Sequence, residues 1–266
     1  MHRLNSLLRK LQRTNMLSQY DAVIREQLEE GVVERAPTEA TGKEFYLPHR
    51  AVVRENAETT KLRVVYDASA RAHSGAPSLN EFLHAGPPLQ NKLWSVLTRS
   101  RFHPVAVAAD IRMAFLQIRI RQAERDALRF HWIVDIQSRE VETLRFTRVL
   151  FGLSPSPFLL NGVIQQHLES WQTRLPESAK EALRSLYVDD FISGAPTVPK
   201  AKQLKSELPR FSPMQSSSST SGIRMNPNLS LNVKTMSLPS PSSNLTTHRV
   251  ARANFLAFPG IKSRTP

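Results

Sequence analysis

The stretch that most constrains this chain is Leu186-Tyr187-Val188-Asp189-Asp190-Phe191-Ile192. Apolar, β-prone residues run up to two adjacent aspartates and resume after them, which predicts a tight hairpin with both carboxylates at its turn. Two like charges side by side repel, and a divalent cation that favours hard oxygen donors, such as Mg²⁺, would relieve them. A solvated Asp-Asp turn is the plainer alternative, because turns favour Asp for their own reasons. A second stretch weighs against it. Val105-Ala106-Val107-Ala108-Ala109-Asp110 is an apolar strand pattern ending on a lone carboxylate, and a short helical pattern follows it to Ile118. A strand-end Asp beside a hairpin Asp-Asp can converge on a metal pair about 4 Å apart, which clamps the attacking and leaving oxygens of an in-line phosphoryl transfer.

The rest of the chain supplies supporting pattern. Residues 1–36 read as two helices, with Leu4, Leu7, Leu8 and Leu11 at helical spacing, then Tyr20, Val23, Ile24 and Leu28, and Gly31 as the stop. Phe45 to Arg54 is extended, and Lys61 to Ala68 alternates as a strand, so the two form a hairpin with Glu55 to Thr60 as its turn. Alternation puts Lys61 and Arg63 on one face, where they could clamp a triphosphate. His49, with no partner pattern, reads as structural. Residues 69–100 are turn-rich connectors leading to a helix from Asn91 to Ser100. Leu128 to Val134 and Leu144 to Val149 are two more strand patterns, and a helix is expected from about Leu159 to Leu175. Between them lies Phe151-Gly152-Leu153-Ser154-Pro155-Ser156-Pro157-Phe158, where Gly152 would let the backbone approach a ligand and the prolines stiffen the loop. A short helix over residues 178–187 runs into the hairpin, and another begins at Lys200. The order of strands and helices is α+β, of ferredoxin-like type, expected as a mixed sheet with helices on one face.

Charge points to an anionic partner. The chain of 266 residues carries a net +13, a balance that suits nucleic acid. Seven of its Lys and Arg residues fall in 208–266, which holds no acid, so much of the excess sits in the tail. The absence of cysteine excludes disulfides and Cys-ligated zinc. No run of about 18 apolar residues and no signal-peptide pattern occurs, so no membrane partner is expected and the location is intracellular, cytoplasmic or nuclear.

The pattern A-D-I-x-x-A-F…Y-V-D-D resembles the palm of a reverse transcriptase, and more closely the BEL/Pao class of long-terminal-repeat retrotransposon polymerases. The resemblance runs from about Leu4 to about Lys205. It implies right-hand polymerase fingers and palm, the palm with a ferredoxin-like sheet. Residues 1–40 would be a helical lead-in, 41–207 the fingers and palm, and 208–266 a disordered tail. It implies two Mg²⁺ ions, catalytic Asp110, Asp189 and Asp190, and the Ile111 carbonyl as an added metal ligand. Arg63, helped by Lys61, would grip the incoming nucleotide's phosphates. Ala114 and Phe115 would lie under its sugar, with Phe115 as the gate against a 2′-hydroxyl. Phe151 and Gly152 would lie against the template base and nucleotide, and Tyr187 and Val188 would border the site. Arg112 and Met113 depart from the acidic or lysine residues expected there and change the local charge. The implied partners are an RNA or DNA template-primer, a dNTP, and other pol polyprotein parts: protease, ribonuclease H and integrase. The implied activity is RNA-directed DNA polymerisation. The alternative is a catalytically inactive, transposon-derived relic that still binds nucleic acid.

The tail from about Leu208 has a Ser-rich run and scattered prolines, a composition too poor in apolar residues to offset chain entropy. It also reads as out of frame. Codons compatible with residues 221–230, read one nucleotide earlier, spell KWHSNEPELE, and those for Arg252 to Thr265 spell SKFLGLPWNKEQD. Both strings are similar to the continuation of the same family.

Overall fold

The structure is a computed structural model that describes residues 1–53 and 62–209, together with the backbone of 210–211 and 231–237. Its elements are α1 (His2–Arg13), α2 (Leu17–Glu29), β1 (Val33–Arg35), β2 (His49–Val53), β3 (Leu62–Tyr66), α3 (Leu79–Phe82), α4 (Leu93–Arg101), β4 (Val105–Ile111), β5 (Arg129–Ile133), β6 (Val141–Phe146), α5 (Ser156–Trp171), α6 (Pro176–Ser185), β7 (Leu186–Tyr187), β8 (Asp190–Ala195), α7 (Val198–Glu207) and β9 (Leu231–Ser237). The chain is thus α+β. The strands form not one mixed sheet but three, ordered β1-β6-β5, β2-β3 and β7-β8-β4-β9, and every strand pair within them is antiparallel.

Two apolar cores divide the described residues. In the first, the leucine stripe of α1 and Tyr20 and Ile24 of α2 pack onto Phe130, Trp132, Leu144 and Phe146 of the three-stranded sheet. Helical spacing on α1 and α2 meets period-two alternation on β5 and β6, so each element buries one face. The hairpin β2-β3 joins this core through Leu62 and the half-buried Tyr66. His49 is structural, as expected: its ring nitrogens bond the Tyr20 hydroxyl (2.6 Å) and the His131 carbonyl (3.0 Å). Burial pushes its pKa down to about 4.

The second core lies under the four-stranded sheet. Val105, Val107 and Ala109 of β4 and Phe191 and Ala195 of β8 face Leu160, Ile164 and Leu168 of α5, Ala179 and Ala182 of α6, and Ala201 and Leu204 of α7. The opposite face is covered at one end only. A Cβ on Gly194 would come within 2.7 Å of the His103 side chain and 2.8 Å of the Ser100 carbonyl, so glycine there lets the end of α4 close over the sheet. Helices therefore touch both faces, not one.

The tail is the clearest departure. Leu208 is buried and continues the packing of α7 in a short 3₁₀ turn, Leu208–Phe211. Leu231–Ser237 is a strand on the open edge of β4, in register from Val105↔Ser237 to Ile111↔Leu231. An uncovered edge presents a row of unpaired N–H and C=O groups, and backbone pairing needs no rich apolar composition. The remainder of the expected disordered tail lies outside the described residues, as do the Glu55 to Thr60 turn and Lys61.

Candidate active site

Asp110 and Asp190 come together because β4 and β8 pair with one specific register. Val105↔Ala195 through Asp110↔Asp190 places the two aspartates directly opposite each other, at the end of the sheet that α4 leaves open. Buried Val107 and Ala109 alternate with Asp110 on β4, and Phe191 alternates with Asp190 on β8, so both carboxylates belong to the face away from α5, α6 and α7. Like charges directly opposite on paired strands are destabilising, and the fold accepts that cost here. Asp189 sits one residue earlier, on the turn. Its carbonyl accepts a 3.0 Å hydrogen bond from the Ile111 N–H, which ties the turn to the end of β4.

The turn itself is strained. Tyr187 pairs with Asp190, leaving Val188 and Asp189 as its two central residues, and Val188 has φ +59°. Hairpin turns of this length need a positive φ, usually from Gly or Asn. A β-branched residue there is an outlier, and such strain persists only where surrounding structure enforces it. Part of that support comes from Asn91, whose Nδ2 donates to the carbonyls of Leu183 (2.7 Å) and Leu186 (2.8 Å).

Charge follows from the geometry. Burial pushes the Asp190 carboxyl up to about 6, and the charges of Asp189 and Asp110 push the same way. Asp189 is also raised, by burial first and then by Asp110. Among the described residues, no group of three or more His, Cys, Asp or Glu side chains is close enough to form a metal cage. Successive side chains alternate, so Asp190 shares a face with Asp110 while Asp189 leaves the turn differently. The arrangement is a cross-strand pair plus one. Three hard-oxygen donors, two of them with pKa values raised by burial first and by mutual repulsion second, are of the donor type that Mg²⁺ favours. Ile111 is engaged on both sides, through Asp189 and through its register partner Leu231.

A second cluster adjoins the exit of β4. Met113 has φ +51°, and Ala114 and Phe115 are buried in the 3₁₀ turn that follows. The Phe115 ring meets the Phe151 ring edge-on at 5.6 Å, and Phe151 is 81% exposed. Gly152 also has a backbone reason to be glycine. Nothing lies within 4 Å of a Cβ built there, but its φ is +93°. That left-handed backbone conformation favours glycine at this position. Asn80 holds the loop: its Nδ2 donates to the Gly152 carbonyl (2.9 Å), and its Oδ1 accepts from the Ser154 N–H (2.9 Å). Neither Asn80 nor Asn91 carries a sequence signal beyond being an Asn in a turn-rich connector. Arg63 is exposed on β3 opposite Val52, and the described residues give it no hydrogen bond or ion pair to the carboxylates. No helix among the described residues is long and apolar enough to cross a membrane.

No family model and no curated protein matches the chain. Among solved structures it is similar to a crystal structure of the prototype foamy virus protease–reverse transcriptase, with a TM-score of 0.50 and 17% identity over 70% of this chain and 21% of that one. The chain thus spans about a fifth of that protein's length. At this identity the likeness is one of fold, and it shows a reverse-transcriptase-like fold.

Proposed function

We propose that the chain is the fingers and palm of an RNA-directed DNA polymerase from a BEL/Pao-class retrotransposon, catalysing Mg²⁺-dependent nucleotidyl transfer from a dNTP to a primer 3′-hydroxyl. The observation that carries this reading is the Asp110–Asp190 cross-strand pair, with Asp189 on a strained turn, at the open end of the four-stranded sheet. The antiparallel pairing of β4 with β8 and of β8 with β7, with α5 and α6 packed between β4 and β7 in the chain, supports reading this region as a ferredoxin-like palm. In this reading residues 1–40 lead in, 41–207 are fingers and palm, and 208–266 continue out of frame.

Bound magnesium would supply charge at both the attacking and the leaving oxygen. Asp110 and Asp189 would hold it, with the Ile111 carbonyl as an added ligand and Asp190 completing the acidic cluster. Arg63 and Lys61 would neutralise the triphosphate. Phe115, buried beside the exit of β4, would form the floor under the nucleotide's sugar, with Ala114 next to it. Phe151 and Gly152 would face the template base, and Tyr187 and Val188 would border the primer end. An RNA or DNA template-primer is the partner, and protease, ribonuclease H and integrase would be parts of the same polyprotein.

Primer extension tests this. The 266-residue chain alone should extend a primer poorly, because a displacement of about 1 Å at the reacting atoms can cost about 100-fold in rate. In this reading the elements that position the primer end lie beyond the frame change. Restoring the frame and adding downstream sequence should rescue extension, and Asp189→Asn should abolish the rescued activity. A repaired chain that binds template-primer but extends nothing would favour the inactive, nucleic-acid-binding relic. Sequencing the locus tests the frame: codons that cannot yield the two shifted strings end that part of the reading.

A further inference from the structure

We propose that Arg148 and Arg119 form a phosphate subsite that grips one backbone phosphate of a nucleic-acid strand lying across Phe151. This deepens the nucleic-acid reading above and rests on it. Arg148 is 6% exposed, and its Nε and Nη1 are buried without a hydrogen-bond partner among the described residues. No described carboxylate pairs with it. Burial first, and then the charges of Arg119 and Arg125, both cations, push its pKa down. Arg125 is engaged with the Ile120 carbonyl (3.1 Å) and Glu34 (3.0 Å). Arg119 is exposed and makes no ion pair among the described residues.

The backbone forces the two arginines together. Arg119 and Arg148 form an antiparallel bridge, flanked by the Ile120 N–H to Thr147 carbonyl bond (2.9 Å) and the Val149 N–H to Ile118 carbonyl bond (2.9 Å). On the far side, the Thr147 hydroxyl donates to the Gly31 carbonyl at 2.6 Å. Neither segment can slide to relieve the repulsion. A guanidinium does not shed its proton in a protein, so a buried one with only cations around it is costly until an anion arrives. Water can fill donor positions but leaves the charge unmet. Two planar donor forks suit a tetrahedral phosphate. The same two segments carry Phe115 and the exposed Phe151. An exposed aromatic beside a cationic pair is how single strands are held, with a base on the ring and a phosphate on the cations.

The test uses the 266-residue chain, Arg148→Met and Arg119→Gln. Two probes separate the sources of phosphate: a labelled single-stranded oligonucleotide followed by anisotropy across a salt series, and inorganic phosphate against chloride at equal ionic strength followed by thermal unfolding. Each substitution should weaken oligonucleotide binding about tenfold, as for one lost charge-assisted bond. Each should also flatten the salt dependence by about 0.7 in log–log slope, the value for one single-strand phosphate. Arg148→Met should raise the melting temperature in phosphate-free buffer, since it removes an unpaired buried cation. A lower melting temperature would mean that Arg148 has an internal partner, and would overturn the proposal. Unchanged affinity and slope in both variants, with the parent chain still binding, would overturn it while leaving the nucleic-acid reading intact. If the parent binds no oligonucleotide but phosphate stabilises it through Arg148, the subsite takes free phosphate, and both the strand claim and the nucleic-acid reading fail. Should Arg148→Met not fold, the exposed Arg119→Gln carries the same comparison.

Discussion

The two sheet regions handle charge in opposite ways. In the three-stranded sheet the buried ions around Asp126 are paired. Fully buried Asp126 accepts from Arg129 and Arg145, both at 2.9 Å, and from the Thr41 N–H at 2.9 Å. Glu34 and Glu44 complete the network through Arg145 (2.7 Å) and Arg129 (2.9 Å). Burial alone would push the Asp126 carboxyl up, but the Arg145, Thr41 and Arg129 bonds override it and hold it well below the usual carboxylate range. Elsewhere charges face their own kind: Asp110, Asp189 and Asp190 at the four-stranded sheet, and Arg148, just past β6, with Arg119 in the segment leading from β4. A closed network fixes a fold. Like charges left facing each other store a demand that a ligand of opposite sign can meet.

Breaking the closed network should give the largest effect. Asp126→Ala would strand two buried guanidinium groups and cost about 3–5 kcal/mol in denaturant unfolding; a loss below about 1 kcal/mol would mean that the arginines find other partners. The second prediction sharpens the contrast through pH. The Asp190 pKa is raised in the folded state, so between about pH 4 and about 6 the folded form binds more protons than the unfolded one. Its contribution to stability therefore falls as pH rises through that window. Asp190→Asn should stabilise the protein by about 1 kcal/mol above pH 6, after discounting for solvent screening, and by nothing below about pH 4. Asp126 has the opposite sign: its contribution is present above about pH 4 and lost on further acidification. The two substitutions should bend the stability–pH curve in opposite directions, and parallel curves would refute the contrast.

Third, Val188→Gly should relieve the positive φ and stabilise the hairpin by about 1 kcal/mol, read from the melting temperature. A loss would mean that packing of the Val188 side chain outweighs its backbone strain. The smallest effect is expected at Phe151. At 81% exposure, Phe151→Ala should change stability by less than about 0.5 kcal/mol, yet still weaken oligonucleotide binding. A stability loss well beyond that would make the ring a structural contact with Phe115 rather than a platform.

Much of the fold was legible in the sequence because its signals are local. The leucine stripe over Leu4 to Leu11 gave α1, the apolar run before Asp110 gave β4, and Asp189-Asp190 between β-prone flanks gave the β7-β8 turn. Boundaries shifted where local chemistry competed. The expected helix from Leu159 begins at Ser156, because Pro157 is tolerated in a first turn, and β1 appears inside a stretch read as helical. Of the candidate site, the aspartates were legible as turn and strand-end carboxylates. Asn80 and Asn91 were not, since each acts on backbone carbonyls far away in the chain.

What the sequence determined by itself is therefore the set of elements and the residue types at their ends, since periodicity, turn chemistry and charge are properties of neighbours along the chain. Tertiary structure alone decided which ends meet. The β4-β8 register sets Asp110 against Asp190, the open edge of β4 recruits residues 231–237, and convergence on Asp126 neutralises two arginines while Arg148, a few residues further on, has no counter-ion among the described residues. Whether a charge is paired depends on contacts between segments distant in sequence and on the water they exclude, and no local pattern encodes either.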